Sequence, residues 1–215
     1  MTLVRRLMLA VLALGLTGAG AQASTIDFNE IATADCSGGS ASITSDGFQF
    51  TEATGISLGI CDDSAGDAAN GSNYLTEFFN LAITMMPVGG GTFSLNSLDA
   101  SRLHTGFVFD PTKLRITGNL SGGGTVIAVF ALDDVADGPG GEADFQNFVL
   151  PSTFVNLTSV RFLGFDTAPA AYSALDNIVV NQETQTPVPE PTSLTLLGLG
   201  LAGMGARRWR QRKSS

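Results

Sequence analysis

Apolar residues between positions 24 and 187 come in short runs separated by Gly, Asn, Asp and Pro, with no sustained helical period. The runs are rich in β-branched and aromatic side chains, which fit a pleated, half-buried surface. They predict strands at Thr25–Ile31, Ala41–Thr44, Phe48–Glu52, Tyr74–Phe79, Leu81–Met85, Thr92–Leu98, Gly106–Phe109, Lys113–Gly118, Thr125–Leu132, Asp144–Leu150, Ser159–Phe165 and Ala174–Asn181. Ser45-Asp46-Gly47, between two of these, is a hairpin signal, because glycine takes the positive φ that a tight turn needs. Alternation is clean in Lys113-Leu114-Arg115-Ile116-Thr117 and puts Leu114 and Ile116 on one face. Thr125–Leu132 is apolar on both faces and fits a strand central to one sheet. Short strands without helices predict an all-β fold, a single jelly-roll-like β-sandwich over residues 24–187. All 14 phenylalanines fall inside that stretch and are its expected core.

Both ends break the pattern. Residues 1–23 have the parts of a secretory signal peptide: Arg5 and Arg6, the apolar run Leu7–Leu16, and the small-x-small site Ala21-Gln22-Ala23. Cleavage by signal peptidase after Ala23 would leave a chain beginning Ser24-Thr25-Ile26. At the other end, Val188-Pro189-Glu190-Pro191-Thr192-Ser193 leads into the apolar run Leu194–Ala206. A basic cluster, Arg207-Arg208-Trp209-Arg210-Gln211-Arg212-Lys213, closes it. The two prolines hold an extended, accessible segment around Glu190. As a helix, Thr192–Ala206 would reach roughly 22 Å at about 1.5 Å per residue, a marginal transmembrane span for a ~30 Å hydrocarbon core. The basic cluster would stay cytoplasmic, and the preceding chain would lie outside. Gly198-Leu199-Gly200-Leu201-Ala202-Gly203 spells a dinucleotide-binding motif, but no strand precedes it and its setting is this apolar helix.

Residues 188–215 resemble the PEP-CTERM sorting signal of Gram-negative bacteria. Pro189, Glu190 and Pro191, a following Thr and Ser, a Gly-rich apolar helix and an Arg-rich end led by Arg207 and Arg208 stand in that order. The resemblance implies a membrane-anchored precursor, cut near the Pro-Glu-Pro by an exosortase and delivered to the cell surface or beyond. Such proteins are often exported by organisms that make extracellular polysaccharide. The same tail is also grouped with the C-terminal segments of ice-binding proteins.

Charge narrows the partners further. Residues 24–189 hold four basic side chains, Arg102, Lys113, Arg115 and Arg161, against 19 carboxylates, a net of −15. So acidic a chain repels phosphate backbones, which excludes nucleic acid. Cys36 and Cys61 are the only cysteines, and an even pair in an exported chain predicts a disulfide. Carboxylates cluster at Asp62, Asp63 and Asp67, and again at Asp133, Asp134, Asp137, Glu142 and Asp144. They read as solvated acidic loops or as calcium ligands, though neither has EF-hand spacing. His104 is the single histidine and supports neither a relay nor a metal triad. Gly55-Ile56-Ser57-Leu58-Gly59 spells a nucleophile elbow, yet the residues from Cys61 read as a loop where that motif needs a helix. No catalytic residue is assigned.

The body also resembles uncharacterised exported PEP-CTERM proteins. The resemblance rests on Asp46-Gly47-Phe48-Gln49-Phe50, Asn70-Gly71-Ser72-Asn73-Tyr74-Leu75, Phe93–Ala100 and Ile116-Thr117-Gly118. Its last strand, Ala174–Val180, is similar to that of jelly-roll carbohydrate-binding modules. Those modules hold calcium with acids of their first and last strands. The resemblance gives that role to Glu30 and Asp176, with Asp27 as substitute if the register shifts by one. Strand parity agrees, since Ala174, Asp176, Ile178 and Val180 would share one face and Ile26, Phe28 and Glu30 another. The expected function is a non-catalytic envelope or extracellular-matrix protein that binds polysaccharide. A secreted glycoside hydrolase and an ice-binding protein are the alternatives, the latter without a regular T-x-T ladder.

Overall fold

In a computed structural model of the chain, the alternating segments pair into two antiparallel sheets. The structure describes residues 23–32, 36, 39–55, 57–62, 68–78, 81–103, 111–133, 135–138, 141, 143–165 and 173–181. The signal peptide, the sorting segment with Pro189, Glu190, Pro191, Arg207 and Arg208, His104, and the strand expected at Gly106–Phe109 lie outside these residues.

Among the described residues, twelve strands run in order: β1 (Ser24–Ile26), β2 (Ser42–Ser45), β3 (Phe48–Thr51), β4 (Leu58–Cys61), β5 (Tyr74–Glu77), β6 (Ile83–Pro87), β7 (Leu95–Arg102), β8 (Lys113–Leu120), β9 (Thr125–Ala131), β10 (Gln146–Val149), β11 (Leu157–Phe165) and β12 (Ser173–Val180). The A sheet has the order β10-β7-β12-β5-β4, with β1 also paired to β12. The B sheet has the order β2-β3-β6-β11-β8-β9. The chain passes back and forth between the sheets at most of its connections, the winding of a jelly-roll-like β-sandwich. No helix among the described residues is long and apolar enough to cross a membrane.

Local sequence explains the elements. Asp46 and Gly47 both take positive φ, 46° and 79°, the type I′ turn that matches the twist of the hairpin β2–β3. Ile43, Phe48, Phe50, Ile83, Met85, Leu114, Ile116, Val160 and Phe162 point inward from the B sheet, against Ile26, Leu75, Leu98, Leu175, Ile178 and Val180 of the A sheet. Of the 14 phenylalanines expected in the core, Phe28, Phe48, Phe50, Phe93, Phe154 and Phe162 are buried in it, Phe165 faces outward from β11, and Phe79, Phe107 and Phe109 lie outside the described residues. Phe28 meets Phe50 edge-on with ring centroids 5.2 Å apart, and Phe48 meets Phe93 at 5.1 Å. Cys36 and Cys61 form the expected disulfide, Cα atoms 4.4 Å apart.

Four expectations are corrected. The first strand stops at Ile26, because Phe28 adopts φ 56° and the chain turns at Asn29 and Glu30. Asn73 fixes that turn, its side-chain amide donating to the Ile31 carbonyl at 3.0 Å and its backbone N–H to Asn29 Oδ1 at 3.1 Å. Leu58–Cys61 is a strand, although Gly59 weakens its signal and Cys61 was expected in a loop. Thr125–Ala131 is the edge of the B sheet, not a central strand, and its outward Ile127 is 60% exposed. Last, a bulge at Asn177, φ 47°, inserts an extra residue between Asp176 and Val179 in the pairing with β7. Leu175 and Ile178 therefore both face the main core, while Ala174 joins a second cluster on the opposite face. The expected common face of Ala174, Asp176, Ile178 and Val180 does not exist.

Candidate functional site

The outer face of the A sheet is covered by its own loops. Ala68 and Ala143 form a parallel bridge, and the Ala69 N–H donates to the Ala143 carbonyl at 3.1 Å. Beneath them Cys61, Ala68, Tyr74, Leu103, Ala143 and Ala174 make a small second core, with Cys36, Phe78 and Phe145 packed against it. Asp176 lies on this side, fully buried. Its Oδ2 accepts hydrogen bonds from Asn70 Nδ2 and Ser72 Oγ, both at 2.7 Å, whereas Oδ1 is buried without a partner. Asp99 is its direct cross-strand neighbour on β7 and is itself held by the amides of Asn147 at 2.7 Å and Asn177 at 2.9 Å. Burial raises the Asp176 carboxyl above the usual carboxylate range, the hydrogen bonds from Ser72 and Asn70 and the backbone N–H of Asn177 pull it back, and Asp99 adds to the rise.

The carboxylates proposed for calcium do not all converge. Asp27, Glu30 and Asp46 bring one oxygen each within 4.8 Å of one another, while Asp176 is not part of that group. Asp46 comes from the β2–β3 turn, and Glu30 accepts a hydrogen bond from the Ser45 hydroxyl beside it. The Asp46 carboxyl is raised by partial burial first, then by the charges of Glu30 and Asp27. Three hard oxygen donors in one place are a donor set suited to a calcium ion. Asp46 was missed in the sequence, because only the early turn at Phe28 brings Asp27 and Glu30 to the hairpin. Of the two acidic loops, Asp144 is raised by burial and by Asp133 and Asp137. Asp63, Asp67, Asp134 and Glu142 lie outside the described residues. Ser57 of the elbow-like motif is fully buried and is followed by β4, so it presents no exposed nucleophile.

By contrast, the described part of the B sheet's outer face is a bare surface on which polar and apolar side chains are mixed. Inward and outward residues alternate along each strand, so the register fixes which outward side chains are neighbours. One row runs through Thr44, Gln49 and Met86. The next runs Ser42, Thr51, Thr84, Arg161, Thr117 and Ile127. Beyond it come Leu163, Arg115 and Val129, then Phe165, Lys113 and Ala131. A groove of about 430 Å³ opens on the first row, lined by Thr44, Gln49, Met86, Pro87, Val88, Gly89, Gly90 and Thr158. None of its lining residues is ionisable.

No curated protein matches the chain. Among solved structures it is similar to TmCBM61 in complex with β-1,4-galactotriose, at 9% identity and a TM-score of 0.36, over 67% of this chain and 92% of that one. It is similar also to the K1 cleaved adhesin domain of Lys-gingipain from Porphyromonas gingivalis W83, at 10% identity and a TM-score of 0.44, over 74% and 98% of the two chains. The K3 cleaved adhesin domain of the same protein aligns at 12% identity, a TM-score of 0.37 and the same coverages. At the carboxyl end, residues 187–212 match the PEP-CTERM protein-sorting motif. The chain is thus an exported, membrane-anchored precursor that carries a PEP-CTERM sorting signal and is processed for surface or extracellular localisation.

Proposed function

We propose that the exported body is a non-catalytic surface or matrix protein that binds extracellular polysaccharide along the outer face of its B sheet. The groove over Thr44, Gln49, Met86 and Thr158 carries this reading. Its volume falls within the ~300–1,000 Å³ typical of ligand sites, and it combines hydroxyl and amide groups with the apolar surface of Met86 and Val88. Sugars need that combination, since each ring presents hydroxyls at its edge and C–H groups on its faces. Hydrolysis needs a pair of carboxyl groups across the scissile bond, and none lines the groove, which favours binding over a glycoside hydrolase. Exosortase sorting delivers such a domain to where polysaccharide is found.

Affinity electrophoresis of the mature exported protein through gels containing different polysaccharides tests the proposal. Retardation by at least one polymer, lost in Gln49→Ala together with Thr158→Ala, is the expected result. Equal mobility in every gel, or release of oligosaccharides from a polymer, would overturn it. A calcium ion at Asp27, Glu30 and Asp46 forms part of the same proposal, as a brace for the β2–β3 turn next to the groove. Calcium should raise the melting temperature, because a ligand of the native state stabilises it by mass action. That rise should vanish in Asp46→Asn; melting curves identical with calcium and with EGTA would reject the ion.

A further inference from the structure

The charges of this body are not scattered. All six strands of the B sheet, β2, β3, β6, β8, β9 and β11, lack a single Asp or Glu, in a body with 19 carboxylates. The same strands carry Lys113, Arg115 and Arg161, three of the body's four basic residues. Register puts all three side chains on the outer face. Leu114, Ile116, Val160 and Phe162, which alternate with them, are in the core, and the three cations are exposed.

Their spacing is fixed by the sheet. Arg161 lies directly opposite Thr117, and Arg115 directly opposite Leu163, so the two arginines are diagonal neighbours, about 7–8 Å apart. Lys113 precedes Arg115 by two residues in β8, about 6.6 Å away at ~3.3 Å per residue. Arg161 also pairs across to Thr84, next to the Met86 of the groove, so the cations continue from the groove in a line across β11 and β8. No ion pair joins them to a carboxylate among the described residues. The Arg115 guanidinium instead lies over the Phe165 ring, 4.5 Å from its centroid, which holds it in place at little entropic cost.

Cations placed beside the carboxylates would relieve the self-repulsion of so acidic a body. Here they are collected on the one sheet that has none. The long-range field of the acidic body is screened beyond a Debye length of about 10 Å at 0.1 M salt, so the charge met at contact on this face is positive. Guanidinium groups on a rigid sheet present paired donors to carboxylate or sulfate oxygens.

We propose that the polysaccharide bound by the B-sheet face is anionic, a uronate- or sulfate-bearing polymer whose charged groups are read by Lys113, Arg115 and Arg161. This inference rests on the polysaccharide-binding reading above and narrows its ligand. The test is affinity electrophoresis of the mature exported protein with polygalacturonate, dextran sulfate and neutral dextran, for the native sequence and for Lys113→Gln/Arg115→Gln/Arg161→Gln. Circular dichroism checks that the variant keeps its fold, and Arg161→Lys alone serves as the charge-preserving control.

The expected result is retardation by one or both anionic polymers. Removing three contacts to discrete charges should weaken that retardation at least about tenfold, and the interaction should fall steeply with salt. Preference for the uronate polymer over the sulfated one, or the reverse, identifies which anion is read. Retardation by dextran equal to that by the anionic polymers, or unchanged in the triple variant, would overturn this inference and leave polysaccharide binding standing. Retardation by no polymer would remove the underlying reading. A low-salt dimer abolished by the triple variant, without polymer binding, would assign the face to a second acidic copy of the chain and overturn the inference as well.

Discussion

The two outer faces of this sandwich are built from opposite materials. The A sheet turns Asp99 and Asp176 outward, and Asp176 is buried there under hydrogen bonds from Asn70 and Ser72. The B sheet turns Thr, Ser, Gln, Arg and Lys outward, with Met86, Ile127, Val129 and Leu163 among them, and carries the groove. A β-sheet face either needs cover or must be polar enough to stay bare. The covered face has spent its chemistry on structure: its carboxylates accept hydrogen bonds from named neighbours, and its disulfide ties Cys36 to β4. The bare face keeps its polar side chains at the surface, in local contacts such as Thr158 Oγ1 donating to the Asn119 carbonyl at 3.3 Å and Arg115 lying over Phe165. Under the proposed function, recognition falls to the B sheet and stability to the A sheet.

The comparison can be broken most forcefully at the disulfide. Replacing Cys36 and Cys61 with serine opens a loop closed over 25 residues, for an expected loss of about 3 kcal/mol in the chain-entropy model. Denaturant unfolding should register this, while polysaccharide retardation of the folded fraction stays as it was. Loss of binding in a variant that remains folded would mean that the covered face takes part in recognition.

A smaller effect, of opposite sign, is expected at Asp176. The native carboxyl is raised, so it holds its proton more tightly than in the unfolded chain, and its favourable contribution is greatest below the ordinary carboxylate range. That contribution is lost as pH climbs through the raised value, leaving a buried charge with one unpartnered oxygen at neutral pH. Asp176→Asn keeps an acceptor for Asn70 and Ser72 and removes the charge. It should stabilise the protein by about 1–2 kcal/mol at pH 7, the scale of an unsatisfied buried group. The gain should disappear as the solution is acidified. Thermal melts of both forms across pH 3 to 7 decide it (~pH limits set by carboxylate titration). Destabilisation at neutral pH would show instead that the charge itself is needed there, as a cation ligand would require.

Much of this architecture was legible in the chain. The Asp46-Gly47 turn, the clean alternation around Leu114 and Ile116, and the cysteine pair all led to the structure observed. Each depends on local chemistry or on a simple period of two. The failures share another cause. Positive φ at Phe28 and Asn177 redirects the residues that follow; Phe28 gives no sign of it, and Asn177, a residue type that tolerates this region, sits inside an otherwise regular strand pattern. One extra residue in β12 was enough to separate Asp176 from Ile178 and Val180 and to move Asp176 away from the acids of the first turn. Thr125–Ala131 failed differently, since its apolar outward residues lie beside Arg115 and Lys113 at an edge. The groove and the line of cations could not be read in advance, because they depend on pairing between β6, β11 and β8, which are far apart in the sequence.

Amide chemical-shift mapping of the ¹⁵N-labelled mature protein, titrated with oligogalacturonate, tests the division between the faces most directly. If the B sheet is the recognition face, the shifts that move are those of Thr44, Gln49, Arg115, Thr158 and Arg161, and those of Asn70, Ser72 and Asp176 stay fixed. Shifts confined to the loop around Asn70 and Ser72, with the B sheet silent, would contradict it.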